Sequence, residues 1–338
     1  MRTLRFAGWI GLAGMLMAPA PFQPTDFADA VDLANPPQNA EGLSVMTYNV
    51  KGLPWPAAWG RAPSLEAIGK SLAAMRERNS QPQVVLLQEA FTDHAKAIGR
   101  QAGYRHIAIG PRQAPAGDAA PLGASFAAQA RWDRGERAGT VLDSGLVILS
   151  DYPIVRSRSL AFPQGACAGL DCLAAKGVLI AWIAVPGAPQ PIAVINTHLN
   201  SRRSTHVASE RADQAYVWQV DAIRRFVSAN VDDATPVIFG GDFNTGEAPR
   251  RVAAFARPML GAFEQDGLST ALSRQGGKNF ARDEALHILE RNKDKLLSRN
   301  GSEITLAPQG FSVPFGVRSP TARLSDHAGF VVVYRMVR

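Results

Sequence analysis

Val237 to Asn244 reads VIFGGDFN, a short apolar run that ends in two glycines, an acid, an aromatic residue and an amide. The apolar half predicts a strand, and the polar half places acid and amide groups where that strand ends. Four other polar clusters adjoin apolar runs in the same way: Asn49, Glu89, Asn196-Thr197-His198 and Ser325-Asp326-His327. A strand end offers rigid placement of such groups at the edge of a sheet. These five clusters are therefore the candidate functional residues.

Each cluster taken alone has an ordinary structural explanation, because strand ends favour polar residues in general. Asp242-Phe243-Asn244 alone is typical of an Asx turn, and His198 alone is typical of a histidine satisfied within a core. A chemical interpretation requires the five clusters together and in order.

The segments between the clusters predict many strands and few helices. Caps at Ser64 and Thr92 predict two helices, and a third is expected over about 206–229. Because the strands are apolar on nearly both faces, we expect sheets packed face to face with helices outside. The expected strands are Leu43–Val50, Val84–Leu87, Tyr104–Ile109, Gly145–Leu149, Val178–Val185, Ile192–Asn196, Val237–Phe239 and Phe330–Tyr334.

Motifs in the chain resemble the signature of the endonuclease/exonuclease/phosphatase superfamily and occur in that family's order. They are Tyr48-Asn49, Gln88-Glu89, Ser144-Gly145, Leu149 to Pro153, Asn196 to Leu199, Gly241 to Asn244, and Ser325-Asp326-His327. The resemblance spans residues 43–338. It implies an α/β fold of the DNase I-like type, a four-layered α/β sandwich with two mostly antiparallel sheets. It also implies a metal-dependent hydrolase of phosphodiesters.

The resemblance further implies a role for each candidate residue. Glu89 is the leading ligand for Mg²⁺, with Asn49 beside it, and Mn²⁺ is the alternative ion. His327, held by Asp326, is the expected base that deprotonates the attacking water. The remaining roles fall to His198 and Asn244, which would hold phosphoryl oxygens, to Asp242, which would orient the water or tune a histidine, and to Asp294, which would act through another residue. Family members use Asp or His as the base, so that assignment stays open.

The beginning of the chain is typical of an export signal. Arg2 and Arg5 precede an apolar run over 6–17, and small residues follow at Ala18 and Ala20. We expect a signal peptide and possible pro-segment over residues 1–30, cleaved after Ala20 or Ala30, a linker over 31–42, and a catalytic domain over 43–338. The expected location is therefore secreted or periplasmic.

Charge and cysteines constrain the protein further. The formal net charge is +7, which attracts nucleic acid, anionic lipid or phosphorylated substrates without distinguishing them. In an exported chain, Cys167 and Cys172 suggest a small disulfide loop, with two unpaired thiols as the alternative.

Within the superfamily, the chain most resembles the bacterial neutral sphingomyelinases. The likeness includes Leu53-Pro54 after the first strand and the Lys-Gly segment CAGLDCLAAKG over 167–177. Aromatic segments at 53–59 and 311–315 could contact a membrane or be ordinary packed loops. The expected substrate is a phospholipid at a membrane surface, acted on by a monomer. The alternatives are an exported nuclease acting on nucleic acid and a non-enzymatic binding protein on the same scaffold.

Overall fold

The protein is an α/β sandwich of two six-stranded sheets, described here from a computed structural model. The structure describes residues 42–115, 121–256, 263, 265–275, 279–318 and 323–338. The expected signal peptide and residues 31–41 of the linker lie outside these ranges. None of the described helices is both long and apolar enough to cross a membrane.

The first sheet has the strand order β11-β12-β1-β2-β4-β3, and the second has the order β5-β6-β7-β8-β10-β9. In the described residues, β1 with β2 and β7 with β8 are parallel pairs, and the other pairs are antiparallel. The strands are β1 Gly42–Asn49, β2 Val84–Gln88, β3 His106–Ile109, β4 Val147–Ser150, β5 Ile154–Ala161, β6 Gly177–Ile183, β7 Ile192–His198, β8 Val237–Asp242, β9 Gln265–Asp266, β10 Asp294–Arg299, β11 Thr305–Phe315 and β12 Gly329–Val337.

The helices are α1 Arg61–Glu77, α2 Asp93–Gln101, α3 Ala124–Ala128, α4 Ser209–Asn230, α5 Pro249–Phe255, α6 Gly267–Arg274 and α7 Phe280–Arg291. The cap at Thr92 is confirmed, because its side chain accepts a hydrogen bond from the Ala95 amide. The cap at Ser64 is wrong. Gly60, with φ of 61°, lets the chain turn into the helix earlier, so α1 begins at Arg61.

Three apolar layers hold the sandwich together. The central layer lies between the sheets and joins side chains such as Leu86 of β2 and Ile238 of β8. Helices α1 and α2 cover the outer face of the first sheet, and α4 covers that of the second with Tyr216 and Ile223. The expected four-layered sandwich with mostly antiparallel sheets is therefore confirmed.

Candidate active site

Strands from both sheets end at one edge, and the candidate residues lie there. In the first sheet, Asn49 at the end of β1 lies opposite Gln88, the residue before Glu89. In the second sheet, Asp242 at the end of β8 has His198 on one side and Asp294 on the other. The parallel pairs explain this arrangement, since two adjacent parallel strands deliver their carboxyl ends to the same edge.

Asn49 connects the two sheets across the site. Its Nδ2 lies 3.0 Å from Oε1 of Glu89 and 3.2 Å from Oδ2 of Asp242. Beneath it, Gln88 Nε2 donates to Asn196 Oδ1 over 2.8 Å, also between sheets. These buried hydrogen bonds fix how the two halves of the site face each other.

His327 is held by Asp294, and the expectation that Asp326 holds it is wrong. The Nδ1 atom of His327 lies 2.8 Å from Asp294 Oδ2 and 2.9 Å from Oδ1. The carboxylate of Asp326 instead pairs with Lys51 Nζ at 3.1 Å. The buried Asp294 precedes His327 by 33 residues and reaches it because β10 begins beside the end of β8.

Asp242 lies between the two histidines. Its Oδ2 is 3.5 Å from His198 Nε2 and 3.7 Å from His327 Nε2, and its Oδ1 accepts a hydrogen bond from the Asn244 amide. Burial alone would raise the pKa of Asp242, but the two imidazoles outweigh it and hold the pKa below its usual range. The carboxylate is therefore anionic at neutral pH.

The two imidazoles have opposite electrostatic environments. Burial, with the nearby Lys176 ammonium, lowers the pKa of His198 to about 3. Burial also disfavours charge on His327, but Asp294 and Asp242 outweigh it and raise that pKa to about 9. At neutral pH the structure therefore favours an uncharged His198 and a protonated His327.

Lys176 determines which nitrogen of His198 faces the site. Its Nζ lies 3.1 Å from His198 Nε2, and an ammonium can only donate hydrogen bonds, so Nε2 accepts and Nδ1 carries the hydrogen. That Nδ1 is buried and has no protein partner in the described part of the chain. A buried donor without a partner is typical of a site that binds a ligand oxygen.

The sequence reasoning missed the support behind Lys176. Asp171 pairs with Lys176 Nζ at 2.9 Å and lies inside the Cys167–Cys172 loop. The structure joins those cysteines in a disulfide, which confirms that expectation. The available signal was the segment over 167–177, noted as a family likeness without assigning a role to its lysine or its aspartate.

Arg251 is a second functional residue that the sequence did not indicate. Its side chain is fully buried and pairs with Asp213 at 2.6 Å. The same guanidinium donates to the backbone oxygens of Asn200 and Asn244, over 2.7 and 2.9 Å. Arg251 therefore clamps together the loops that follow β7 and β8. Nothing in the residues around Arg251 distinguishes it from a surface arginine.

Asn244 is the last of the expected site residues. It is buried, with φ of 48°, and its Nδ2 donates to the Leu199 oxygen over 3.1 Å. It lies at the site edge directly after Asp242 and has a side-chain contact with the loop that follows His198.

The donor groups of the site fit a divalent cation. Asp242, Asp294 and His327 offer ligand atoms within 4.8 Å of one another, and all three residues are buried. Burial raises the pKa of Glu89, and the amide of Asn49 lowers it less, so this carboxylate lacks a compensating positive charge. A hard cation would supply that charge, and one or two carboxylates suffice for Mg²⁺.

Of the two expected aromatic segments, one is exposed and the other is buried. Trp55 and Trp59 are 67% and 77% exposed, and their rings meet edge to face. Phe311 and Phe315 are buried, so the expectation that they could contact a membrane is wrong. The reason is that 305–315 forms strand β11 against β12, and Phe315 stacks on Tyr48 at 4.9 Å.

Comparisons with solved structures give the fold independently. Sphingomyelinase C from Streptomyces griseocarneus is 21% identical, with a TM-score of 0.54 over 86% of this chain and 99% of that one. A Staphylococcus aureus beta toxin mutant with bound magnesium ions gives 18%, 0.56, 86% and 99%. A humanized D. rerio TDP2 gives 18%, 0.55, 87% and 99%. At these identities the likeness shows the fold alone.

No curated protein matches the chain significantly. The family comparison is positive: the model of the Endonuclease/Exonuclease/phosphatase family matches residues 46–327, which is most of the chain and includes every candidate site residue. The chain therefore belongs to the endonuclease/exonuclease/phosphatase family, whose members are hydrolases that act on phosphodiester bonds.

Proposed function

We propose that this protein is an exported, Mg²⁺-dependent phospholipid phosphodiesterase that resembles the sphingomyelinases in its substrate class. The observation that supports a lipid substrate most strongly is the exposed pair Trp55 and Trp59. They follow β1 closely, and Lys51 at the start of the same loop binds Asp326, the neighbour of His327. Indole rings at such a position can enter the headgroup boundary of a membrane.

Glu89 and Asn49 would hold the Mg²⁺ ion, with Mn²⁺ as the alternative. The bound ion would neutralise charge on the phosphate and stabilise the leaving oxygen. The other roles can be derived from the hydrogen bonds and charges of the chain itself.

His327 is the proposed general base. Asp294 accepts the hydrogen of Nδ1, which leaves Nε2 as the nitrogen that takes a proton from water. Asp242 lies 3.7 Å from the same Nε2 and stabilises the imidazolium that results. Asp326 then contributes indirectly, by fixing Lys51 and the loop that carries the tryptophans.

His198 is the proposed donor to a phosphoryl oxygen. Its free Nδ1–H stabilises negative charge that develops on the phosphate in the transition state. Because the pKa of His198 is near 3, the ring stays neutral and does not transfer protons at neutral pH. Asn244 would act on the same group of oxygens, at the position that Arg251 fixes.

A parallel assay tests this proposal. The purified protein with Mg²⁺ is offered sphingomyelin vesicles, phosphatidylcholine vesicles and plasmid DNA, with His327→Ala as control. Release of a phosphorylated headgroup that the variant loses supports the proposal. Cleavage of DNA with both lipids intact would refute the lipid substrate and support a nuclease, for which the net charge of +7 is the favouring observation. Binding without cleavage of any substrate would support the non-enzymatic alternative.

Export through residues 1–30 and action as a monomer are part of the same proposal. Fusion of residues 1–30 to a mature phosphatase that is active only outside the cytoplasm tests export, and an inactive fusion would refute it. Light scattering of the purified protein gives the oligomeric state, and a mass of twice the chain would refute the monomer.

A further inference from the structure

A cleft lies beside Asn244 and contains charges that the proposed reaction does not use. It has a volume of ≈ 550 Å³, and the loops after β7, β8 and α7 form its walls. Four of its lining residues are cationic, and two are acidic: Arg202, Arg203, Arg291 and Lys293, and Glu247 and Glu290. We call this cavity, as defined by those six residues, the basic cleft.

The cations of the basic cleft are largely uncompensated. Within the described residues, Arg203 and Lys293 form no ion pair, and Arg291 donates to a neutral acceptor, the Asp326 backbone oxygen, over 2.7 Å. Only Arg202 approaches an acid, Asp213 at 3.4 Å, and that acid already pairs with Arg251. Cations without partners that line one cavity favour an anionic occupant.

The walls of the basic cleft are fixed by the active site itself. The amide of Phe243 donates to the Lys293 oxygen over 2.8 Å, and the amide of Gly246 donates to the Asn292 oxygen over 2.9 Å. These two bonds hold the backbone of Lys293 against the strand end that carries Asp242. On the opposite wall, the Arg251 clamp fixes Ser201 and Asn244. The cleft is therefore a built extension of the site.

We propose that the basic cleft binds a second phosphate on the headgroup of the phospholipid substrate, beyond the phosphodiester that is cleaved; this inference rests on the proposed function. The volume lies within the range of about 300–1,000 Å³ that small-molecule sites occupy, which suits a headgroup better than a nucleic-acid duplex. Arginine and lysine are the usual partners of phosphate oxygens. A choline group would instead bring its positive charge among four cations.

Direct binding tests the inference without depending on activity. Isothermal titration calorimetry of the full chain with Mg²⁺ compares inositol 1,4-bisphosphate with phosphocholine as headgroup probes. The bisphosphate is expected to bind at least about tenfold more tightly, the ratio that one additional charge-assisted contact provides. Lys293→Glu and Arg203→Glu should each reduce this ratio severalfold. Arg158→Glu, the same charge change on the exposed edge strand β5, should leave it unchanged.

Equal binding of the two probes, or a ratio that survives both charge reversals, would overturn the inference. A single-stranded DNA 12-mer that binds more tightly than the bisphosphate and loses binding in both variants would assign the cleft to nucleic acid, and would also overturn it. The proposed function fails separately, if vesicles of sphingomyelin, phosphatidylcholine and phosphatidylinositol 4-phosphate all remain intact while DNA is cleaved. Preferential cleavage of the phosphatidylinositol 4-phosphate vesicles would support both claims.

Discussion

The imidazole of His327 lies between two carboxylates, with Asp294 at Nδ1 and Asp242 near Nε2. Its pKa of about 9 is a consequence of these two charges, which outweigh the effect of burial. A general base is most effective when its pKa lies near the working pH. The metal-free site is therefore poorly prepared for catalysis, and a cation held near Glu89 would oppose the protonation of His327.

The first prediction concerns this pKa. Asp294→Asn should lower the pKa of His327 in the metal-free protein from about 9 towards the ordinary value of 6.5, because it removes the larger of the two raising charges. NMR of the imidazole as a function of pH measures it. Asp326→Asn is the matched control and should have a smaller effect, since Asp326 binds Lys51. An equal or larger effect of Asp326→Asn would contradict the assignment.

The same pKa predicts how stability depends on pH. The folded pKa of His327 is raised above its unfolded value, so protonation of this group stabilises the fold fully below about pH 6.5. This contribution is lost as the pH rises from about 6.5 to about 9. Urea unfolding of metal-free protein should show a decline in the free energy of unfolding across that window, and the decline should shrink in Asp294→Asn. An unchanged decline in the variant would exclude His327 as its source.

At the scale of elements, the site depends on how the loops after β7 and β8 are joined. Arg251 of α5 donates to backbone oxygens in both loops and pairs with Asp213 of α4. A buried pair of this kind contributes little net stability, whereas removal of one partner leaves an uncompensated buried charge. Its value to the protein is therefore the placement of Asn244 and the loop after His198.

This role separates stability from activity in a second prediction. Arg251→Met should lower the free energy of unfolding by about 3–5 kcal/mol, because Asp213 is left buried and unpaired. The double variant Arg251→Met with Asp213→Leu should recover most of the stability but little of the phosphodiesterase activity, since the loop oxygens still lack their donor. Urea unfolding and hydrolysis of bis(p-nitrophenyl) phosphate measure the two properties. Recovery of both together would show that Arg251 serves only the fold.

The sequence predicts elements better than it predicts the partners of individual side chains. Periodicity and motif order predicted the two sheets, the site residues at their common edge and the α2 cap, because each depends on local pattern. It paired Asp326 with His327 because they are adjacent, whereas the actual partner comes from a strand 33 residues earlier. Phe311 and Phe315 likewise depend on strand pairing, which places them in the core.

At the scale of the whole molecule, the active-site edge combines a polar site with an exposed aromatic loop. Trp55 and Trp59 lie in the loop that follows β1, whose last residue, Asn49, contacts Glu89 and Asp242. The basic cleft lies beside Asn244 at the same edge. A protein of this shape would approach a membrane with its active-site edge first, which brings a lipid phosphate directly to His198 and His327.

The third prediction tests this orientation. Trp55→Ser together with Trp59→Ser should reduce hydrolysis of phospholipid vesicles about tenfold or more, since two interfacial indoles are lost. Hydrolysis of soluble bis(p-nitrophenyl) phosphate should change much less. Val155→Ser is the matched control, an exposed apolar residue near Ile154, which pairs with the end of β6 far from the site. A parallel fall with both substrates would indicate damage to the site and contradict membrane contact.

The central claim is that the residues at the common edge of the two sheets form one metal-dependent site for phosphodiester hydrolysis. Its most direct test is the rate of bis(p-nitrophenyl) phosphate hydrolysis as Mg²⁺ is removed with chelator and restored, in the wild type, Glu89→Gln and His327→Gln. The account predicts that activity requires the ion and that each variant loses about a hundredfold or more, the usual contribution of a general base. Activity that persists without metal, or in both variants, would contradict it.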